Sequence, residues 1–236
     1  MKPLTVLFGG SRGIGRACLD QLAADGFAVA YTYVSAAPEA EPCEDVRGYA
    51  VDVVDEAAVA AFFETVKRDF GASPRAVVVN AGINVPPAPL AQFSTENFHR
   101  LLSVNLVGAF NALREAARHV EDDGAIVALS TSLVRKALPG AGPYIATKAA
   151  VEALVRSLSL ELAPRRVRVN AVAPGPVDTD LFRDGKDEAA VQRSAALSPL
   201  GRVGRPQEIA EVVSFLVSPK ASWIYGQVVQ PNGGLV

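Results

Sequence analysis

Leu4-Thr5-Val6-Leu7-Phe8-Gly9-Gly10-Ser11-Arg12-Gly13-Ile14-Gly15 is the stretch that decides the fold. An apolar run of strand formers breaks at paired glycines, and a helical pattern follows from about residue 14 to 24. Strand, glycine loop and helix in that order form the first unit of a parallel sheet. Glycines there let the backbone turn tightly and approach a pyrophosphate, whose charge meets the helix N-terminus. The loop supplies Gly9, Ser11, Arg12, Gly13, Ile14 and Gly15 as candidate phosphate-binding residues, spaced Gly-x-x-x-Gly-x-Gly. The same residues match Gly-x-Ser-x-Gly, the nucleophile elbow of hydrolases, with Ser11 as nucleophile. That elbow normally follows several strands, whereas this one follows the first, and both histidines, His99 and His119, lie inside helical patterns. The hydrolase reading is therefore set aside.

Outward from the loop, strands and helices alternate. Strands are expected at 27–33, 48–53, 76–79, 125–129, 167–172 and 228–230, and helices at 56–70, 95–120, 144–162 and 208–217. Residues 34–47 carry Pro38 and Pro42, so a full crossover helix is not expected there, only a loop with at most one short helix. The strands are near-continuous apolar runs, as in a parallel sheet covered on both faces. The fold class is α/β: a single-domain Rossmann fold over residues 1–236, with a doubly wound parallel sheet.

Composition narrows the function classes. The 23 Lys+Arg against 25 Asp+Glu give a formal charge of −2, which offers no electrostatic reason for a nucleic-acid or anionic-membrane partner. Cys18 and Cys43 make no disulfide framework and fit a reducing, cytoplasmic setting. No segment approaches the roughly 18 apolar residues of a membrane span. No metal site is expected.

Which dinucleotide would the loop hold? An acid at the end of the second strand would bind the ribose hydroxyls of NAD and repel the extra phosphate of NADP. The residues there are Tyr33-Val34-Ser35, with no acid, while Arg12 offers a guanidinium and Ser35 a hydroxyl to a 2′-phosphate. NADPH/NADP+ is expected over NADH. Further along, Tyr144 and Lys148 are spaced four apart on one helix and share a face. A free tyrosine titrates near 10, and a neighbouring Lys⁺ is expected to lower that value toward useful acid–base chemistry.

With these residues in hand, the chain resembles the short-chain dehydrogenase/reductase (SDR) family over nearly its whole length. The glycine loop, Asp52-Val53, Asn80-Ala81-Gly82, Asn105, Tyr144/Lys148, Asn170 and Pro174-Gly175 fall in that family's order and approximate spacing. The resemblance implies that Tyr144 donates a proton to a substrate carbonyl as hydride arrives from the nicotinamide. It also implies that Lys148 assists Tyr144 and holds the ribose, and that Asn105 anchors a relay water. Asp52 and Val53 flank the adenine, Asn80, Ala81 and Gly82 close the cofactor site, and Pro174, Gly175 and Thr179 grip the carboxamide. Asn170 is implied to be structural. The chain departs from the pattern at Phe8 and Val79, and at Thr131, which stands where the family usually has its catalytic serine. Thr131 is taken as the fourth catalytic residue, with Ser130 and Ser132 as alternatives under a one-residue shift.

Within the family the likeness is greatest to β-ketoacyl-acyl-carrier-protein reductases, including Pro199-Leu200-Gly201-Arg202 and Arg205-Pro206 before Glu208. It implies reduction of a 3-oxoacyl thioester. Arg135, Lys136, Arg165 and Arg166 are candidates to receive an acyl carrier protein. Residues 178–205 would cover the substrate, and the chain would assemble as a homotetramer, or as a dimer. The alternatives are an SDR reductase for another small carbonyl compound and a catalytically silent nucleotide-binding sensor.

Overall fold

The computed structural model describes residues 2–35 and 45–236. Seven parallel strands form one sheet in the order β3-β2-β1-β4-β5-β6-β7. They are β1 (Leu4–Phe8), β2 (Ala28–Tyr33), β3 (Val46–Ala50), β4 (Ala76–Val79), β5 (Ala125–Leu129), β6 (Arg168–Val172) and β7 (Val228–Val229). The order reverses between β1 and β4, which places a crevice at the carboxyl ends of those two strands. Helices α1 (Gly13–Ala24) and α8 (Pro206–Val217) cover one face. The other face carries α2 (Glu56–Phe70), α4 (Ala109–His119) and α5 (Gly142–Glu161). Two short helices, α6 (Asp180–Arg183) and α7 (Glu188–Ala195), lie in the segment expected to cover the substrate. Among the described residues, no helix is long and apolar enough to cross a membrane.

Alternation along β1 shows how the two cores are fed: Val6 and Phe8 enter one, Leu7 the other. Phe8 packs edge-on against Phe62 of α2, with ring centroids 5.6 Å apart, so the departure at this position serves the core beneath the loop. Cys18 is buried in the opposite core, and burial pushes its thiol up to about 12.

Three expectations need correction. The third strand starts and ends earlier than the apolar pattern suggested. Val46 pairs with Val29 and Ala50 with Tyr33, so β3 stops where β2 stops and Asp52-Val53 turn toward α2. Residues 46 and 47 thereby leave the expected 34–47 loop for the sheet, while the rest of that reading, with Pro38, Pro42 and Cys43, falls largely on residues 36–44, outside the described residues. Finally, the long helix at 95–120 is not uniform: α3 (Thr95–Leu101) passes through a π-helical stretch (Leu102–Gly108) into α4. The wider turn carries Asn105 and brings Gly108 against Val53, where a Cβ would lie 2.6 Å from Cγ2.

Candidate active site

The crevice is built first by backbone that tolerates no side chains. Gly9 has φ +78°, and a Cβ there would lie 2.9 Å from Cα of Ala81. A Cβ on Gly15 would lie 1.8 Å from the Gly9 carbonyl oxygen. That oxygen accepts from Asn80 Nδ2 at 2.7 Å, and the Gly9 N–H donates to Thr32 Oγ1 at 3.0 Å. The loop is thus pinned from both neighbouring strands, its free N–H groups at the N-terminus of α1. Arg12 caps that helix with extended backbone and an exposed side chain, and Ser35 stands exposed just beyond the end of β2. Ser11 and Ile14 are half-buried. This cradle fits a dinucleotide pyrophosphate.

Beyond β5, three consecutive hydroxyls point to different partners. Ser130 Oγ donates to Glu152 Oε1 at 2.7 Å, and Ser132 Oγ donates to the Ala173 carbonyl at 2.7 Å. Ser132 also accepts from Asn232 Nδ2 at 3.1 Å. Thr131, between them, accepts from the Leu133 N–H at 3.3 Å, and its hydroxyl acts to lower the pKa of the Tyr144 phenol. Both serines are thus engaged within the scaffold.

Tyr144 and Lys148 rise from α5 as spaced. Lys148 is buried and donates to the Leu129 carbonyl at 2.9 Å. The half-buried Tyr144 phenol shows no lowering from Lys148 in the chain by itself: desolvation pushes it up to about 12, and the Thr131 hydroxyl only partly opposes this. Burial acts oppositely on the ammonium, holding Lys148 at about 8. The cation is engaged with a β5 carbonyl.

Asn105 reaches from the π-helical turn to the chain beyond β4. Its Oδ1 accepts from the Ile83 N–H at 2.8 Å and its Nδ2 donates to the Ile83 carbonyl at 2.9 Å. A Cβ on Gly82 would lie 3.3 Å from Asn105 Oδ1 and 3.4 Å from Lys148 Nζ, so Gly82, Asn105 and Lys148 meet. Ala81, as noted, backs the glycine loop.

The remaining candidates divide. Thr179 caps α6 by accepting from Phe182 N–H at 3.1 Å, and its methyl lies beside Gly13, where a Cβ would meet it at 3.2 Å. Pro174 accepts from Ser132 N–H at 2.9 Å, and Gly175 donates to Pro231 at 3.2 Å. These residues join the glycine loop and the Thr131 turn to one site. Asp52 is exposed and accepts from Val54 N–H at 3.0 Å, while Val53 is buried under Gly108. Asn170 is a tie within the scaffold, donating to the Ile224 carbonyl at 2.8 Å and accepting from Gln227 N–H at 2.9 Å. An open cleft of about 650 Å³ is lined by Ile83, whose backbone Asn105 holds, and by Glu96, His99, Arg100, Ser103 and Val104.

Two residues escaped the sequence reading. Thr32 anchors Gly9, and its signal was a threonine between two tyrosines at the end of an otherwise apolar strand. Glu152 receives Ser130, and its signal was an acid two helical turns from Tyr144.

Comparison with known proteins agrees with this geometry. The model of the family described as "Enoyl-(Acyl carrier protein) reductase" matches residues 9–236. An NADPH-dependent aldehyde reductase-like protein of Arabidopsis thaliana is 36% identical over 99% of this chain and 94% of its own. The 3-oxoacyl-[acyl-carrier-protein] reductase FabG of Staphylococcus aureus is 36% identical over 100% of this chain and 98% of its own. The solved short-chain dehydrogenase/reductase of Serratia marcescens superposes with a TM-score of 0.90 at 34% identity, covering 99% of this chain and 97% of that one. A glycine cradle at the sheet's reversal point, a threonine–tyrosine pair and a buried lysine on one scaffold mark the chain as a member of the short-chain dehydrogenase/reductase family, an oxidoreductase acting on CH–OH and C=O groups.

Proposed function

We propose that the protein is an NADPH-dependent carbonyl reductase whose substrate is a 3-oxoacyl thioester. The observation that carries this reading is the placement of Tyr144 and buried Lys148 on one face of α5, with Lys148 held at the end of β5 and the Thr131 hydroxyl acting on the phenol. Bound NADPH supplies the hydride. The cradle of Gly9, Gly13 and Gly15 receives its pyrophosphate, Arg12 and Ser35 its 2′-phosphate, and Asp52 and Val53 its adenine. Asn80, Ala81 and Gly82 line its path, and Pro174, Gly175 and Thr179 hold the carboxamide.

Burial keeps the Tyr144 phenol protonated at every physiological pH, which a proton donor to a carbonyl oxygen requires. Thr131 adds a second hydrogen bond to that oxygen, stabilising the charge that develops on it. Lys148, protonated below about 8, compensates the phenolate left after proton transfer. Asn105 anchors a water that returns the proton, beside Lys148. Retention of Tyr144, Lys148 and a hydroxyl at 131 supports turnover over a silent sensor. Residues 178–205 cover the substrate and exclude water.

The Staphylococcus relative supports the thioester. A second reading, a small free aldehyde, is favoured by the Arabidopsis relative and by the state of the cations nominated for a carrier protein. Arg135 is paired with Glu152 at 2.6 Å, Arg165 with Asp122 at 2.8 Å and Arg166 with Asp123 at 2.6 Å, while Lys136 donates to the Leu235 carbonyl at 3.4 Å. Each cation is already engaged within its own chain, so a free thioester is preferred to a carrier-bound one. Exposed Val107 of the π-helical stretch, Phe110 of α4 and Leu160 of α5 would supply apolar contacts for a homotetramer.

The test follows oxidation of NADPH and NADH with acetoacetyl-CoA and an aldehyde panel, for the wild type and Tyr144→Phe. The phenylalanine variant is expected to lose about 10²–10⁴-fold in kcat while still binding NADPH. Retained turnover would overturn Tyr144 as the acid; aldehyde reduction without thioester reduction would select the second reading.

A further inference from the structure

Tyr144, Lys148 and Glu152 follow one another at four-residue intervals and share one face of α5. Glu152 is only 2% exposed. Its Oε1 accepts from Ser130 Oγ at 2.7 Å and from Arg135 Nη1 at 2.6 Å; its Oε2 accepts from the same Arg135 nitrogen at 2.6 Å, with Arg156 Nη1 3.8 Å away. Ser130 and Arg135 stand on either side of Thr131 along the chain. One carboxylate thus ties both shoulders of the turn carrying Thr131 to the helix carrying Tyr144 and Lys148.

Stability gives no sufficient reason for an acid here. Burying a charge costs several kcal/mol, and well-packed apolar residues of similar volume often serve a core as well as an ion pair does. What an apolar residue cannot do is hold Ser130 and Arg135 at fixed directions through short, charge-assisted hydrogen bonds. Ser132, on the near shoulder, is fixed separately by Ala173 and Asn232. The middle hydroxyl is left as the one presented to Tyr144. We propose that Glu152 is a positioning residue for carbonyl reduction, setting the Thr131 hydroxyl against the Tyr144 phenol without itself touching substrate or cofactor. The inference rests on Thr131 and Tyr144 being the reacting pair.

A displacement of about 1 Å at a reacting group costs on the order of 10²-fold, so partial loosening through glutamine is expected to cost about tenfold. Glu152→Gln keeps volume and one acceptor oxygen but releases the second contact to Arg135. The experiment measures kcat, KM and NADPH affinity for the wild type, Tyr144→Phe, Glu152→Gln, Thr131→Ala and the Glu152→Gln/Thr131→Ala double variant. It also follows amide hydrogen exchange over residues 130–136. Glu152→Gln is expected to lower kcat about tenfold with NADPH affinity unchanged, and to speed exchange in that turn. In the Thr131→Ala background the same change is expected to have no further effect on kcat, because its influence passes through the absent hydroxyl. Equal losses in both backgrounds, or reduced stability with unchanged kcat and exchange, would overturn the proposal. Should Glu152→Gln not fold, Ser130→Ala removes one of the same contacts and is judged by the same pair of backgrounds. If Tyr144→Phe retains turnover, the catalytic assignment falls and this inference with it; if that variant is inactive and the cycle is additive, only the role of Glu152 falls.

Discussion

Replacing Lys148 with methionine is expected to stabilise the protein while abolishing carbonyl reduction. The side chain is buried, and burial holds its pKa at about 8 against the usual 10.5. At about 1.4 kcal/mol per pH unit, that difference amounts to about 3 kcal/mol of cost for keeping the ammonium charged inside the fold. Methionine occupies similar space without charge and adapts to irregular surroundings. Its drawback is the Leu129 carbonyl left without its partner, about 1 kcal/mol. The balance is about 2 kcal/mol in favour of the variant, or a rise of about 4–8 °C in Tm for a chain of this size. The sign follows from linkage. Below about pH 8 the lysine is charged in both folded and unfolded states, and the whole cost is present. Between about 8 and 10.5 the folded protein has lost the proton that the unfolded chain still holds, so wild-type stability recovers as pH rises. Urea unfolding of both proteins, repeated from neutral pH to about 10.5, should show the gap closing across that window. A variant less stable than wild type at neutral pH, or a gap that stays constant to the alkaline end, would refute the desolvation argument.

Gly15→Ala is expected to open the contact between Gly9 and Asn80, because the new Cβ falls 1.8 Å from the Gly9 oxygen and 2.5 Å from Asn80 Nδ2. A loss of about 3 kcal/mol in urea unfolding, with NADPH binding abolished by fluorescence titration, is the anticipated result; normal binding would remove the cradle from the cofactor assignment. Arg12→Glu places an acid where the 2′-phosphate is proposed to lie. It should shift the NADPH-to-NADH ratio of kcat/KM about 10–100-fold toward NADH, and an unchanged ratio would acquit Arg12. The losses expected for Tyr144→Phe and for Glu152→Gln, given with their proposals above, complete the set.

Much of the architecture was legible because the signals are local. Apolar runs at 4–8, 76–79 and 125–129 match β1, β4 and β5 residue for residue, and the glycines before α1 mark a turn that only small residues allow. The Tyr144–Lys148 spacing is a property of one helix and needs no partner to be read. The third strand slipped because its limits belong to its neighbour: β3 ends at Ala50 where Tyr33 ends β2, whatever its own apolar pattern suggests. The π-helical turn was hidden for the same reason, since Asn105 is drawn to Ile83 and Gly108 to Val53, both outside that helix.

The chemistry divides along the same line. Residue order and spacing were enough for the α/β class, the cradle and the tyrosine–lysine pair, because hydrogen-bonding and steric rules act within a few residues. They nominate Thr131 with Ser130 and Ser132 as alternatives, but what engages each of the three hydroxyls was beyond them. Ser130, Thr131 and Ser132 differ little as a string, and they are told apart by Glu152, Tyr144 and Ala173, which approach from α5 and from the end of β6. The direction of the Tyr144 pKa was equally out of reach, because spacing announces a nearby cation whereas burial, a property of the whole packed chain, sets the larger opposing effect.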